Sequence, residues 1–358
     1  MEMYKLRSSV SVVDLGNNQL EFFKTNVRKS IKIHTNGDLI KKIVTSLDGN
    51  TSIEELGKKY NFDPSSGYAI QLITFLKRKA IIANDSLVKN RDDYKQYRRV
   101  IHFLEDYSDS DESLLDMWEN IRNARVLIIG LGAVGSWVAV NLVQSGVKNL
   151  ALMDNDIVDI SNLHRQYGYF EDDIGKKKTT VLKNHLMEME PRCVIDEYNF
   201  FLTEDSLSKI NGPIDLVVNC SDKPSVDTTS KWVGKYCMEK RIPHIVGGGY
   251  NMHLSLIGQT IIPYKTACVN CFSRQLDETN NLQGVDIKRL NIKNRKIGSF
   301  GPMCSIVASM TAMEAIKVLS KHISPDNVNR RGEFDIYTMK LKYFDFEKLD
   351  DCEWCGEQ

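Results

Sequence analysis

The sequence predicts an α/β protein in which a doubly wound, mainly parallel sheet follows a small α+β domain. Three observations carry that prediction. Short all-apolar runs at 126–129, 150–153 and 216–218 have the texture of strands covered on both faces. The first run feeds into Gly130-Leu131-Gly132-Ala133-Val134-Gly135, a glycine turn before a helix expected to open near Val134. Residues 1–85 have a different texture, with alternating β-rich segments followed by short amphipathic helices.

In the front domain, 3–13 and 19–34 are broken by Gly16-Asn17-Asn18 and read as a small antiparallel meander. Leu39, Ile40, Ile43, Val44 and Leu47 form a helical stripe within 36–47 that stops at Asp48-Gly49. Ser52 to Glu55 is a capping pattern for a second helix ending near Tyr60. A third helix over 66–79 and a strand over 80–83 complete a winged-helix-like pattern. Residues 86–119 are charged and read as a linker, with a helix over 113–123.

In the back domain, 120–358, Asp154 ends the second strand about 20 residues past the glycines, where a carboxylate reaches ribose hydroxyls. Beyond it lie Asp156, Asn162, Arg165 and then Lys176-Lys177-Lys178, a polar set rich in cations that hydride transfer does not need. The strand in 213–219 leads to Asp222, placed at the carboxyl edge where open α/β sheets bind ligands. Residues 242–246 give a strand, Gly247-Gly248-Gly249 an open turn, and 251–262 antiparallel sheet. Residues 273–296 read as a crossover loop, and 301–322 as a long apolar helix with Cys304 near its start, read as a core residue ahead of a nucleophile. Cys268, Cys271, Cys352 and Cys355 form two CxxC knuckles, a closed structural Zn²⁺ site with no open position for catalysis.

The chain has 358 residues with 47 basic and 47 acidic side chains, so nothing pulls it as a whole toward nucleic acid or membrane. No signal peptide and no membrane-length apolar run are recognised, and a soluble cytosolic protein is expected.

The order and spacing of Gly130, Gly132, Gly135, Asp154, Asn162, Arg165 and Lys178 resemble the Rossmann-like ThiF/MoeB family, relatives of the ubiquitin-activating enzymes that convert a carboxylate to an acyl-adenylate. That resemblance implies ATP as substrate. It gives the phosphates to the glycines, the ribose to Asp154, the triphosphate to Asn162, Arg165 and Lys178, and Mg²⁺ to Asp222. It also implies a homodimer in which Arg98, favoured over Arg99, reaches the partner's ATP. The front domain resembles PqqD-type leader-recognition domains through Leu47-Asp48-Gly49 and the Ser52–Leu56 pattern. Together the two resemble microcin C-type and pantocin-type peptide-modifying enzymes, which implies a precursor peptide as partner. The alternatives are a sulfur-carrier adenylyltransferase and a winged-helix DNA-binding regulator with a nucleotide sensor.

Overall fold

A computed structural model describes residues 3–35, 37–251, 253–279 and 298–356. The chain divides into two compact units, Met1–Glu119 and Asn120–Gln358.

The first unit holds strands β1 (Met3–Leu6), β2 (Val10–Gly16), β3 (Gln19–Lys24) and β4 (Lys29–His34), helix α1 (Leu39–Thr45), strand β5 (Asp48–Ser52), helices α2 (Ile53–Tyr60) and α3 (Gly67–Arg78), and strand β6 (Ile82–Ala83). Asn17 and Asn18, both at positive φ, turn β2 into β3, as two-residue hairpin loops require. β2, β3 and β4 form the expected antiparallel meander. β1 lies instead in a second sheet, between β5 and β6. Strand β5 was hidden by Asp48-Gly49, which sequence reading takes only as a helix stop. The Asp48 carboxylate accepts the Asn50 and Thr51 N–H groups at 2.8 Å each and bends the chain into pairing with β1. Ser52 caps α2, with Glu55 closing the reciprocal bond.

Helices α4 (Ser86–Lys89), α5 (Tyr94–Glu105) and α6 (Asp111–Asn123) follow. The expected helix over 113–123 is thus preceded by two more. Tyr97, Ile101 and Leu104 form the buried stripe of α5, while Arg98 and Arg99 lie on its exposed side.

The second unit is built on strands β7 (Arg125–Ile129), β8 (Asn149–Met153), β9 (Val194–Tyr198), β10 (Leu216–Asn219), β11 (His244–Val246), β12 (Gly249–Asn251), β13 (Leu254–Ile257) and β14 (Thr260–Ile261). The main sheet has the order β14-β11-β10-β7-β8-β9, parallel except for β14. Between β7 and β10 the winding reverses direction. That switch point opens a crevice at the carboxyl ends of both strands. Helices α7 (Gly135–Gln144), α8 (Lys178–Met189) and α9 (Val226–Lys240) accompany the sheet. Leu127, Ile129, Ala151, Met153 and Val217 pack with Val233 and Cys237 of α9 in a continuous apolar cluster.

Helix α10 (Val269–Thr279) corrects the expected crossover loop over 273–296. Val269, Phe272 and Leu276 recur at helical spacing, but a loop drawn from Ser273 cuts that stripe in half. Residues 280–296 of the expected loop lie outside the described residues. Helix α11 (Gly301–Ser320), with mean hydropathy 1.4, is long and apolar enough to cross a membrane, against the expectation of no such run. It is 61% buried within this unit, as a core helix is. A hairpin of β15 (Arg330–Asp335) and β16 (Lys340–Asp345), absent from the sequence reading, extends β12 and β13 into a second sheet.

Candidate active site

The glycine turn is tight at its ends and open in its middle. Gly130 has φ +83°, and a Cβ there would stand 2.8 Å from the Cys220 carbonyl oxygen. A Cβ on Gly135 would meet the Gly130 carbonyl oxygen at 1.9 Å, whereas one on Gly132 would meet nothing within 4 Å. The outer glycines therefore serve the packing of β7 against the segment after β10, and Gly132 leaves open the space that a phosphate cradle needs. Helix α7 opens at Gly135, its positive end at this turn.

Asp154 is drawn into the same turn. Its two oxygens accept the Leu131 N–H at 2.6 Å and the Asp156 N–H at 2.7 Å. Each oxygen keeps a further lone pair, so ribose binding is compatible with this role. Tyr169 donates to the Leu131 carbonyl at 2.9 Å and closes the turn from behind.

Asp156 carries the cationic part of the site. Lys178, buried at the start of α8, pairs with its Oδ2 at 3.3 Å, and Lys223 pairs with its Oδ1 at 3.3 Å. Burial lifts the Asp156 carboxyl, but the two ammoniums more than offset that and hold it below its ordinary value. Lys223, unlike Lys178, was missed from sequence, because its link to Asp156 depends on strand order.

Asn162 and Arg165 lie on the turn between these parts. Asp159 accepts from the Ser161 N–H at 2.8 Å, and the Asn162 side-chain oxygen accepts from the Asp159 N–H at 3.1 Å. Arg165 donates to the Ser161 carbonyl, while its buried Nε makes no hydrogen bond. The Trp137 indole N–H fixes the Arg165 carbonyl at 3.2 Å. Gly301 opens α11 against this turn, where a Cβ would stand 3.1 Å from the His164 carbonyl oxygen.

Asp222 is exposed on the loop after β10. Asn219 accepts the Ser221 N–H at 3.2 Å and Thr229 donates to the Ser221 carbonyl at 2.8 Å, so the loop is fixed from both sides. The structure thus gathers the glycine turn, Asp154, Asp156, Lys178 and the Asp222 loop at the carboxyl edge of β7, β8 and β10. Arg98 lies in the first unit, on α5.

Residues 103–354 match the ThiF family, well over half of the chain. The chain belongs to the ThiF family. It is an ATP-dependent adenylyltransferase enzyme, in line with its relatives. It is 28% identical over 244 residues to the molybdopterin-synthase adenylyltransferase of Escherichia coli strain K12, covering 68% of this chain and 91% of that protein. It is 28% identical over 269 residues to the sulfur carrier protein ThiS adenylyltransferase of the same strain, covering 75% of this chain and 97% of that protein. Among solved structures, E. coli MccB with AMPCPP and MccA superposes with a TM-score of 0.76 at 24% identity, covering 99% of this chain and 100% of that one. A structure of PaaA superposes with a TM-score of 0.72 at 18% identity, covering 95% and 99%. These two share the fold of nearly the whole chain.

This ThiF-family protein also holds a cysteine cluster. The Sγ atoms of Cys268, Cys271, Cys352 and Cys355 all lie within 4.8 Å of one another, and all four residues are buried. Nearest pairs stand at 3.3, 3.5 and 3.8 Å. Four thiolates about 2.3 Å from one zinc stand roughly 3.8 Å apart, so the set fits a tetrahedral zinc. The Cys271 thiol is held below its ordinary value, first by the hydrogen bond from Cys268 and further by the Leu349 N–H at 3.4 Å. Burial instead pushes the Cys220 thiol up to about 12 and raises that of Cys304, which suits packing better than nucleophilic chemistry.

Gly247 and Gly248 prove to serve packing. Added Cβ atoms would meet Cys220 Sγ at 2.4 Å and the Leu256 carbonyl oxygen at 2.2 Å, respectively. Only Gly249 faces open space.

Proposed function

We propose that this enzyme adenylates a carboxylate of a ribosomally made precursor peptide in antibiotic biosynthesis, holding the peptide's leader on its first unit. The observation that carries this reading is that the family match begins at residue 103, whereas the fold shared with MccB spans 99% of the chain. The first hundred residues are thus additional to the family core, and MccB, which has them too, has been crystallised with MccA. A microcin-like enzyme would activate the peptide's terminal carboxylate, and a pantocin-like one the side chains of glutamates.

A groove of about 250 Å³ in the first unit suits an extended peptide. It is lined by Ile33 and His34 of β4 and by Tyr68, Gln71, Leu72 and Phe75 of α3, with Ile40. β4 is an edge strand of its sheet, so its free backbone groups can take up a further strand while the groove selects side chains. This unit, the PqqD-like domain over 1–85 with the helices after it, would tether the peptide and raise its effective concentration at the adenylation domain.

In the second unit the turn at Gly130, Gly132 and Gly135 would receive the phosphates, and Asp154 the ribose. Arg165 and Lys178 would neutralise charge developing at the α-phosphorus as the substrate carboxylate attacks and pyrophosphate departs. Asp222 would hold Mg²⁺ against the triphosphate. The Cys₄ zinc would tie the tail to α10, and Arg98 would reach the ATP of a partner in a homodimer.

The 28% identities to carrier-protein adenylyltransferases favour a second reading, adenylation of a sulfur-carrier protein. One experiment separates the two. The full chain is incubated with ATP, Mg²⁺ and either a synthetic peptide copied from a short reading frame beside its gene or a ubiquitin-like carrier protein, and the nucleotides are resolved by chromatography. AMP and pyrophosphate formed with the peptide support the first reading. Turnover with the carrier alone supports the second, and ADP with phosphate as sole products overturns both.

A further inference from the structure

Lys223 is not among the residues that the family resemblance assigns, and its position calls for a role. β8 and β10 flank β7 on either side. Asp156 follows β8 and Lys223 follows β10, so their ion pair passes over the carboxyl end of β7, where the glycine turn begins. The loop bearing Lys223 sits directly on that turn. A Cβ at Gly130 would stand 2.9 Å from the Ser221 nitrogen, and Asn219, Thr229 and the Ser225 cap of α9 hold the loop in place.

We propose that Lys223 is a phosphate-binding residue of this site, acting on the β- and γ-phosphates of ATP and on the pyrophosphate that leaves, while Lys178 serves the α-phosphorus. The inference rests on the reading of the glycine turn as the nucleotide cradle. Two ammoniums share one carboxylate at Asp156, at 3.3 Å each, which leaves the trio with a net positive charge at the carboxyl edge that carries the glycine turn. The two lysines differ in freedom. The Lys178 side chain is 5% exposed and fixed by α8, whereas that of Lys223 is 66% exposed, with its Nζ 5.9 Å from the Phe201 ring centroid. A solvent-exposed Lys–Asp pair contributes little to stability, so stabilising the fold is a weak reason for this contact. The same weakness lets the ammonium transfer to a polyphosphate, whose higher charge competes well against one carboxylate. Reach from the opposite wall of the crevice would place Lys223 on the outer phosphates, away from the α-phosphorus.

The test is equilibrium binding of Mg²⁺–ATP, of inorganic pyrophosphate and of AMP to the full chain by calorimetry, for the native protein, Lys223→Gln and Lys223→Arg. Lys223→Gln is expected to weaken ATP and pyrophosphate binding by at least about ten-fold, as loss of one charge contact should, and to leave AMP binding and the melting temperature unchanged. Lys223→Arg should retain most of the affinity, and the KM for ATP should rise in Lys223→Gln more than kcat falls. Native-like ATP and pyrophosphate affinity in Lys223→Gln would overturn the inference, as would an equal loss for AMP, which would mark general damage to the site. If the native chain bound neither ATP nor AMP, the nucleotide-cradle reading itself would fall, and the inference with it.

Discussion

The three glycines of the turn make separable demands, and Gly132→Ala against Gly135→Ala tests them. At Gly132 the backbone lies outside the left-handed region and an added Cβ touches nothing within 4 Å. Alanine there should leave stability unchanged or raise it by up to about 1 kcal/mol through the unfolded chain. The methyl group would instead stand where a phosphate must approach the backbone N–H groups. Losing one hydrogen bond to a charged group costs about 1.5–3 kcal/mol, so ATP affinity should fall roughly 10- to 100-fold. At Gly135 the same methyl group would lie 1.9 Å from the Gly130 carbonyl oxygen and 3.3 Å from Cys220 Cβ. Backbone cannot yield as a side-chain tip can, so that variant should be destabilised by about 3 kcal/mol or more. Thermal unfolding without nucleotide, followed by ATP titration at 25 °C, reads both quantities. A stable Gly132→Ala protein with native ATP affinity would refute the cradle, and a Gly132→Ala protein as unstable as Gly135→Ala would refute the packing argument.

Metal analysis of freshly purified protein should give near one zinc per chain, and Cys271→Ser or Cys352→Ser should lose both the metal and the fold of the tail, because structural zinc binding is coupled to folding. Lys178→Ala should lower turnover by about 100-fold or more with the chain still folded, which single-turnover adenylate formation would measure. If the homodimer shares its sites, mixing inactive Arg98→Ala with inactive Asp222→Ala should recover part of the activity, and no recovery in demonstrated heterodimers would argue against sharing. Burial raises the carboxyl of Glu105 above its ordinary 4.5 despite Lys5 and Arg7, so its stabilising neutral form is fully present below about 4.5 and lost as pH rises through the folded value. Glu105→Gln should therefore flatten the fall in melting temperature over that window, and parallel curves for the two proteins would contradict the assignment.

The features legible in the sequence are those whose chemistry is local. The glycine turn, the apolar strands around it, the Ser52–Glu55 cap and the two CxxC pairs each state their geometry within a few residues. What escaped depends on distant partners. β5 is a strand because β1 lies beside it, and nothing in Asp48-Gly49-Asn50-Thr51-Ser52 alternates strongly enough to announce pairing. α5 looked like linker because the charged runs 89–99 and 105–112 overlap its two ends, while its buried stripe of Tyr97, Ile101 and Leu104 is only one face wide. Lys223 escaped because 67 residues separate it from Asp156, and only the β10-β7-β8 order brings them together.

The same contrast bears on how one adenylating core comes to serve different carboxylates. On the proposed reading, the groups that would hold nucleotide are backbone turns and strand tips, set by the order of the main sheet. Near the cradle, Gly247 and Gly248 are committed to packing against Cys220 and Leu256, leaving Gly249 as the one glycine of that turn with open space. On the proposed reading, a separate unit with an edge strand and a groove can change its pocket residues while the residues of the nucleotide site stay as they are. Substitutions at Tyr68 or Phe75 should accordingly alter which peptide is processed and leave ATP affinity untouched, as an independent binding unit requires.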